Sequence, residues 1–259
     1  MPPQKMTRTA WVTGAGKGIG RALALRLATG GCVVAVSART EDDLQSLAAE
    51  ASGLPGKIHP LVLDVVDPVA TAAAVAHIRD AIGPLDLAIL NAGTHRGVSA
   101  QGFDAAVVRS LVDVNLMGTV NCLAAMLPDF IDRRSGRIAV VASVAGYRGL
   151  PTAAAYGATK AALINMCEAL KPELDQWGVG LTLINPGFVD TPLTQKNDFP
   201  MPFLISADTA ADLIMHGLDS GRFEIVFPWR MAVAMKLLRV LPYAVVFRIT
   251  RRMVKGSRV

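Results

Sequence analysis

Thr13–Gly14–Ala15–Gly16–Lys17–Gly18–Ile19–Gly20 is the stretch on which the fold of this 259-residue chain turns. It follows a short apolar run, Thr9–Thr13, and opens a helical pattern, Gly20–Thr29. Glycines there permit a tight turn and let main-chain N–H groups approach a pyrophosphate at a helix N-terminus. The spacing is G-x-x-x-G-x-G; G-x-G-x-x-G fails, because Ile19 stands where its last glycine would fall. A P-loop is excluded too, since Lys17 is followed by Gly18 and no Gly-Lys-Ser/Thr ending is present. The alternative is an ordinary strand-to-helix turn, against which four glycines in seven positions argue.

On either side of the loop, short apolar runs alternate with longer helical patterns. The strand candidates are Thr9–Thr13, Cys32–Ser37, Ile58–Leu63, Leu85–Leu90, Arg137–Ala142, Gly180–Ile184 and Phe223–Phe227. Most are continuously apolar, which predicts a sheet covered on both faces. Helical patterns lie near Gly20–Thr29, Glu41–Ala51, Pro68–Ala81, Ala105–Asp132, Ala153–Trp177 and Ala207–Ser220. Repeated strand–helix–strand units with right-handed crossovers give an α/β fold with an open, doubly wound parallel sheet.

Composition agrees. Apolar residues make up 52% and charged residues 18%, enough for a large core and unlike a disordered chain. Three cysteines, Cys32, Cys122 and Cys167, form no disulfide framework, which points to a reducing compartment. Four histidines show no metal-ligand spacing, so no metal site is expected. Met1–Ala10 has no apolar signal-peptide region, and no stretch approaches 18 uncharged apolar residues, so the cytoplasm is the expected location. The net charge of +5 is uneven. Residues 229–259 hold eight basic residues and no acidic one, leaving 18 basic against 21 acidic elsewhere.

The second strand ends in Val36–Ser37–Ala38–Arg39. Dinucleotide folds place an acidic residue near here on the adenosine ribose. Ala38 and Arg39 replace it, with Lys17 in the glycine loop, and two cations attract a 2′-phosphate where a carboxylate would repel it. NADP(H) is therefore expected in preference to NAD(H); the alternative makes Arg39 a solvated residue. Downstream, Tyr156 and Lys160 lie four apart on one helix face, and Ser143 ends the fifth strand at its carboxyl edge, where α/β ligands bind.

These residues together resemble the short-chain dehydrogenase/reductase family over about residues 7–228. The resemblance rests on Gly14, Gly18, Ile19 and Gly20; on Asp64–Val65, beside the adenine; and on Asn91–Ala92–Gly93 after the fourth strand. It also takes in Asn115, Ser143, Tyr156, Lys160 and the nicotinamide-lining segment Pro186–Pro192, with Pro186, Gly187, Val189 and Thr191. Gly16, Lys17 and Arg39 complete the expected cofactor contacts. The resemblance implies a three-layer Rossmann fold of seven parallel strands in the order 3-2-1-4-5-6-7. Residues 1–228 would form that domain and residues 229–259 a basic, amphipathic helical extension. It implies Tyr156 as general acid, its phenol starting near a pKa of about 10. Lys160 and the oxidised nicotinamide would draw that value toward neutrality, and Lys160 would hold the nicotinamide ribose. Ser143 would hold the substrate oxygen. Asn115 would link Lys160 to solvent through its backbone and a water. Asp64 could instead cap the helix near Pro68, and Asn91 could be a turn residue. Pro172 should kink the helix carrying Tyr156, a helix that in relatives commonly builds an interface of a homodimer or homotetramer.

Two regions bear on substrate and partners. Leu193–Ile205 ends almost wholly apolar; it either lids a lipophilic pocket or packs on the protein's own core. In the tail, Arg248, Arg251, Arg252 and Lys255 form one cationic helix face roughly opposite Val246, Ile249 and Met253. That pattern suits peripheral contact with the inner face of a membrane, or a helix packed on the body or a neighbouring subunit. The expected activity is NADP(H)-linked interconversion of a ketone or aldehyde and its alcohol, on a lipophilic substrate. A 3-oxoacyl acyl-carrier-protein reductase, with Arg133, Arg134 and Arg137 contacting the carrier, is one alternative. A cofactor sensor binding membrane or nucleic acid without turnover is another; no recognition motif supports nucleic acid.

Overall fold

The computed structural model describes residues 8–196 and 199–254. In chain order its first elements are β1 (Thr9–Thr13), α1 (Gly18–Thr29), β2 (Val33–Ala38), α2 (Glu41–Glu50), β3 (Lys57–Val62), α3 (Pro68–Ala81) and β4 (Leu87–Leu90). Then come α4 (Ala105–Val112), a π turn (Asp113–Met117), α5 (Gly118–Arg133), β5 (Arg137–Val141), α6 (Ala154–Gln176) and β6 (Gly180–Pro186). A two-residue pair, β7 (Val189–Asp190) and β8 (Ile205–Ser206), precedes α7 (Ala207–Asp219), β9 (Glu224–Phe227), α8 (Trp229–Val240) and α9 (Tyr243–Val254).

Seven strands form one parallel sheet in the order β3-β2-β1-β4-β5-β6-β9. The expected order is found, with Phe223–Phe227 as β9. Side chains alternate along β1, yet all five residues are buried. Trp11 enters the core beneath α3, α5 and α6 with Met126, Phe130 and Leu163, while Ala10 and Val12 enter the opposite core beneath α1 and α7 with Leu23 and Ile214. Two covered faces explain why the strands read as continuous apolar runs. The order reverses between β1 and β4, and a crevice opens beyond their carboxyl ends, where such sheets bind ligands.

Three findings sharpen the sequence reading. Helices α4 and α5 run continuously over Ala105–Arg133, long and apolar enough by composition to cross a membrane. Cys122, Leu123, Met126 and Phe130 of α5 instead lie in the core under the sheet. Pro172 sits inside α6, which continues through it to Gln176. The expected tail holds α8 and α9, and Met235, Leu238 and Val246 reach the same core as Phe130. Lys255 and Arg258, counted in the basic tail, lie outside the described residues.

Candidate active site

The glycine loop is shaped by close approach. Gly14 has φ +64°, and a Cβ on it would stand 2.8 Å from Ala92 Cα. A Cβ on Gly20 would stand 2.4 Å from the Gly14 carbonyl oxygen and 2.6 Å from Asn91 Nδ2. Asn91 clamps the loop by donating from Nδ2 to the carbonyls of Thr13 (3.0 Å) and Gly14 (3.1 Å). Thr13 Oγ1 in turn accepts from the N–H groups of Asn91 and Ala92. Asn91 is thus a tie between β1 and β4, more than a turn residue. Gly20→Ala is expected to lower stability by about 1–3 kcal/mol through overpacking and to weaken dinucleotide binding; unchanged thermal unfolding and affinity would contradict the tight cradle.

At the far end of the loop the structure modifies the expectation. Lys17 Nζ lies 3.2 Å from Asp43 Oδ2, on the first turn of α2, and a Cβ on Gly16 would stand 3.0 Å from Asp43 Cβ. Lys17 is therefore already paired with a carboxylate, a neighbour that sequence spacing does not reveal. Arg39 is exposed and makes no ion pair among the described residues. Asp64 is exposed and accepts from Val66 N–H, while Asp67 caps α3 by accepting from Val69 and Ala70, so the capping alternative for Asp64 falls away. Val65 is buried against Gly118.

Ser143, Tyr156 and Lys160 converge on one cleft, open to solvent, which Ile19, Asn91, Gly93, Pro186, Gly187, Val189 and Thr191 also line. Ser143 leaves the end of β5; its Oγ accepts from Ala145 N–H (3.1 Å) and donates to the Pro186 carbonyl (3.3 Å). Burial raises the Tyr156 phenol above its ordinary value, opposed by a hydrogen bond with Ser143. Burial also pulls Lys160 down to about 8, its Nζ donating to the Val141 carbonyl at 2.9 Å. In the chain by itself, then, the phenol is not drawn toward neutrality. Desolvation outweighs the nearby ammonium, which lies 5.7 Å from the ring centroid and is turned to a strand carbonyl.

Asn115 is fully buried in the π turn and does not reach the cleft surface. Its Oδ1 accepts from Thr94 N–H (2.7 Å), and its Nδ2 donates to the Thr94 carbonyl (2.9 Å) and Thr159 Oγ1 (3.2 Å). It fastens the loop after β4 to the helix bearing Tyr156 and Lys160. His95 meets the Tyr156 ring edge-on at 4.7 Å, with Nδ1 buried and unpartnered among the described residues. Sequence reasoning passed over Thr13, Asp43, Thr94, His95 and Thr159, because their roles arise from contacts far apart in the chain.

Geometry of this kind can cradle a dinucleotide and place a phenol beside a reacting oxygen. A family model described as short chain dehydrogenase matches residues 8–200. The chain belongs to the short-chain dehydrogenase family. It is accordingly an oxidoreductase of a family that binds NAD(P)(H). Among short-chain dehydrogenase relatives, an "uncharacterized oxidoreductase" of Myxococcus xanthus is 40% identical over 235 residues, 91% of this chain and 93% of that one. A 3-oxoacyl acyl-carrier-protein reductase of Thermotoga maritima is 35% identical over 192 residues, 71% of this chain and 75% of that one. A solved short-chain dehydrogenase from Sphingobium yanoikuyae in complex with NADPH superposes with TM-score 0.79 at 24% identity, covering 92% and 97%. One from Burkholderia phymatum in complex with NAD gives 0.82 at 23%, covering 89% and 92%. At these identities the two structures speak for the fold.

Two surface expectations can be placed on this short-chain dehydrogenase frame. In the segment after the cleft Phe199, Phe203 and Leu204 are exposed, whereas Met201 is half-buried and Ile205 packs against the core beneath α1 and α7, so only part of the segment is turned outward. Phe199 touches Phe188 (ring centroids 6.0 Å apart), and Phe203 holds a φ of +61°. Asn197 and Asp198 lie outside the described residues. The arginines offered as a carrier-protein contact are engaged at home. Arg133 binds Asp129 and the Leu85 carbonyl, Arg134 lies over the Trp177 ring, and Arg137 donates to the Leu218 carbonyl.

Proposed function

We propose that the protein interconverts a ketone or aldehyde and its alcohol with NADP(H), on a lipophilic substrate. The observation that carries this reading is the convergence of Ser143, Tyr156 and Lys160 on one cleft beside the glycine cradle. Gly14, Gly18 and Gly20 suit a dinucleotide cradle, since a Cβ at each would collide with Ala92, Thr191 or the Gly14 carbonyl and open the tight turn. When bound, the nicotinamide supplies the hydride. Ser143 Oγ holds the carbonyl oxygen and stabilises the charge that develops on it. Tyr156 donates its proton to that oxygen, and burial keeps the phenol protonated and ready at neutral pH. Lys160 favours the tyrosinate left behind and holds the nicotinamide ribose, while Asn115 keeps the Thr94 loop and α6 in register.

Arg39 supports the 2′-phosphate preference, because it is exposed and free of carboxylates among the described residues. Asp43 favours the second reading, NAD(H), since its carboxylate beside Gly16 is placed to accept ribose hydroxyls and to hold Lys17 back. Fluorescence titration with NADPH and NADH decides between them. Arg39→Ala is expected to weaken NADPH about tenfold, equivalent to 1.4 kcal/mol, with NADH unaffected. Tighter NADH binding by the wild type would overturn the preference. The T. maritima relative keeps a 3-oxoacyl thioester as the alternative substrate, and the arginine arrangement favours a free carbonyl. A homodimer or homotetramer in the cytoplasm completes the proposal.

A further inference from the structure

We propose that α8 and α9 form a docking surface for an anionic lipid bilayer. Ala232, Met235 and Leu238 bury the inner face of α8. Trp229, Val233, Leu237 and Val240 follow at spacings of four, four and three, which places them within about 80° around the helix axis, opposite the buried face. All four are exposed, Trp229 at 70% and Val240 at 77%. A helix apolar on both sides ordinarily has both sides covered. α9 adds exposed Tyr243 and Phe247, their rings stacked 5.6 Å apart, and exposed Val254. These seven large apolar side chains exposed within residues 229–254, four of them in one stripe on α8, exceed the scatter of single exposed hydrophobics.

Charge selects the occupant. No acidic residue occurs in residues 229–254. Lys236 is paired with Glu224, and Arg239 lies 4.0 Å from Glu168. Arg230, Arg248, Arg251 and Arg252 make no ion pair with a carboxylate among the described residues. A second copy would set cations against cations, because a two-fold contact presents the same patch from both sides. An anionic bilayer offers an apolar layer and negative headgroups together. Each helix has 12 residues, about 18 Å of rise, too short to span and suited to lying in the interface.

The surface borders the cleft. The Arg230 guanidinium lies 5.5 Å from the Trp229 ring and 5.9 Å from that of Phe203, in the apolar segment after Thr191. Gly187, which lines the cleft, packs so closely under α8 that a Cβ on it would stand 3.0 Å from Pro228 and 3.3 Å from Met231. Docking through α8 therefore sets the mouth of the site near the lipid.

Flotation of the full-length protein with vesicles tests this, and it reads binding without turnover, so its outcome is separable from that of the redox proposal. Binding is expected on phosphatidylcholine vesicles holding about 30% phosphatidylglycerol, with loss on phosphatidylcholine alone and at raised salt. The double variant Leu237→Ser, Val240→Ser is expected to lower partitioning at least about tenfold. Arg251→Glu with Arg252→Glu should remove the preference for phosphatidylglycerol. Circular dichroism and reduction of a water-soluble carbonyl should match the wild type in the serine variant. Three results would each overturn the proposal: no flotation of the wild type, equal flotation of wild type and variants, or serine variants that dissociate to a smaller oligomer in solution, which would make the stripe a subunit interface.

Discussion

Tyr156→Phe is expected to lower carbonyl reduction by about three powers of ten, within the range for loss of a general acid, while leaving dinucleotide affinity within a factor of two. The phenyl ring keeps the edge-on contact with His95 and loses only the hydroxyl that meets Ser143. Because burial raises the phenol, the acid form needed for reduction is present at neutral pH in the wild type. Oxidation of the alcohol needs the tyrosinate, so its rate should climb toward alkaline pH, and the variant should show neither limb. Stopped-flow measurement of the hydride step in both directions checks this. A variant retaining more than about a tenth of wild-type turnover would shift the proton donor elsewhere.

Lys160→Met is expected to abolish turnover and yet stabilise the fold. The ammonium falls from 10.5 to about 8 on burial, which at 1.36 kcal/mol per unit is a charged-state cost of about 3 kcal/mol. Methionine fills similar space without charge, although it leaves the Val141 carbonyl without its donor, a loss of about 1 kcal/mol. The net gain at pH 7 should be about 1–2 kcal/mol, or about 4 °C in Tm. The sign follows from linkage. Below pH 8 both folded and unfolded wild type hold the proton, and the folded state bears the full cost. Between about pH 8 and 10.5 the folded state releases it first, so wild-type stability rises with pH and the advantage of the variant fades. Thermal unfolding of both proteins across that range should show the two curves closing. A gap independent of pH, or a destabilised variant, would contradict a buried charge held for function.

Period and glycine spacing carry most of the fold into the sequence. Continuous apolar runs announce a sheet covered on both faces, and the helical patterns between them leave only parallel crossovers. The cleft is legible where position follows from local structure, as for Ser143 at a strand end and Tyr156 and Lys160 on one helix face. Lys17 shows where that legibility stops. Its partner Asp43 lies 26 residues away and is brought close only by the packing of α2 on the glycine loop. Tyr156 shows another limit, since sequence names the phenol and the lysine but not the burial that governs both. In the tail, spacing in α9 suggested one apolar face, whereas the stripe left open on α8 emerges only once its inner face is seen against the core.

The π turn at Asp113–Met117, where Gly118 N–H reaches back to the Asp113 carbonyl, works as a phase shifter. One extra residue in a helix rotates everything beyond it by about 100°. Before the shift, α4 turns Leu111 toward the small cluster of Val98 and Ala155; after it, α5 turns Cys122, Met126 and Phe130 toward the main core. A straight helix of the same sequence could satisfy only one of those two contacts. Asn115 sits at the step itself, so the register of the helix and the anchoring of the Thr94 loop are set by the same five residues. Deleting any one of them would rotate one half of the helix out of its groove and pull apart the two walls of the cleft at once.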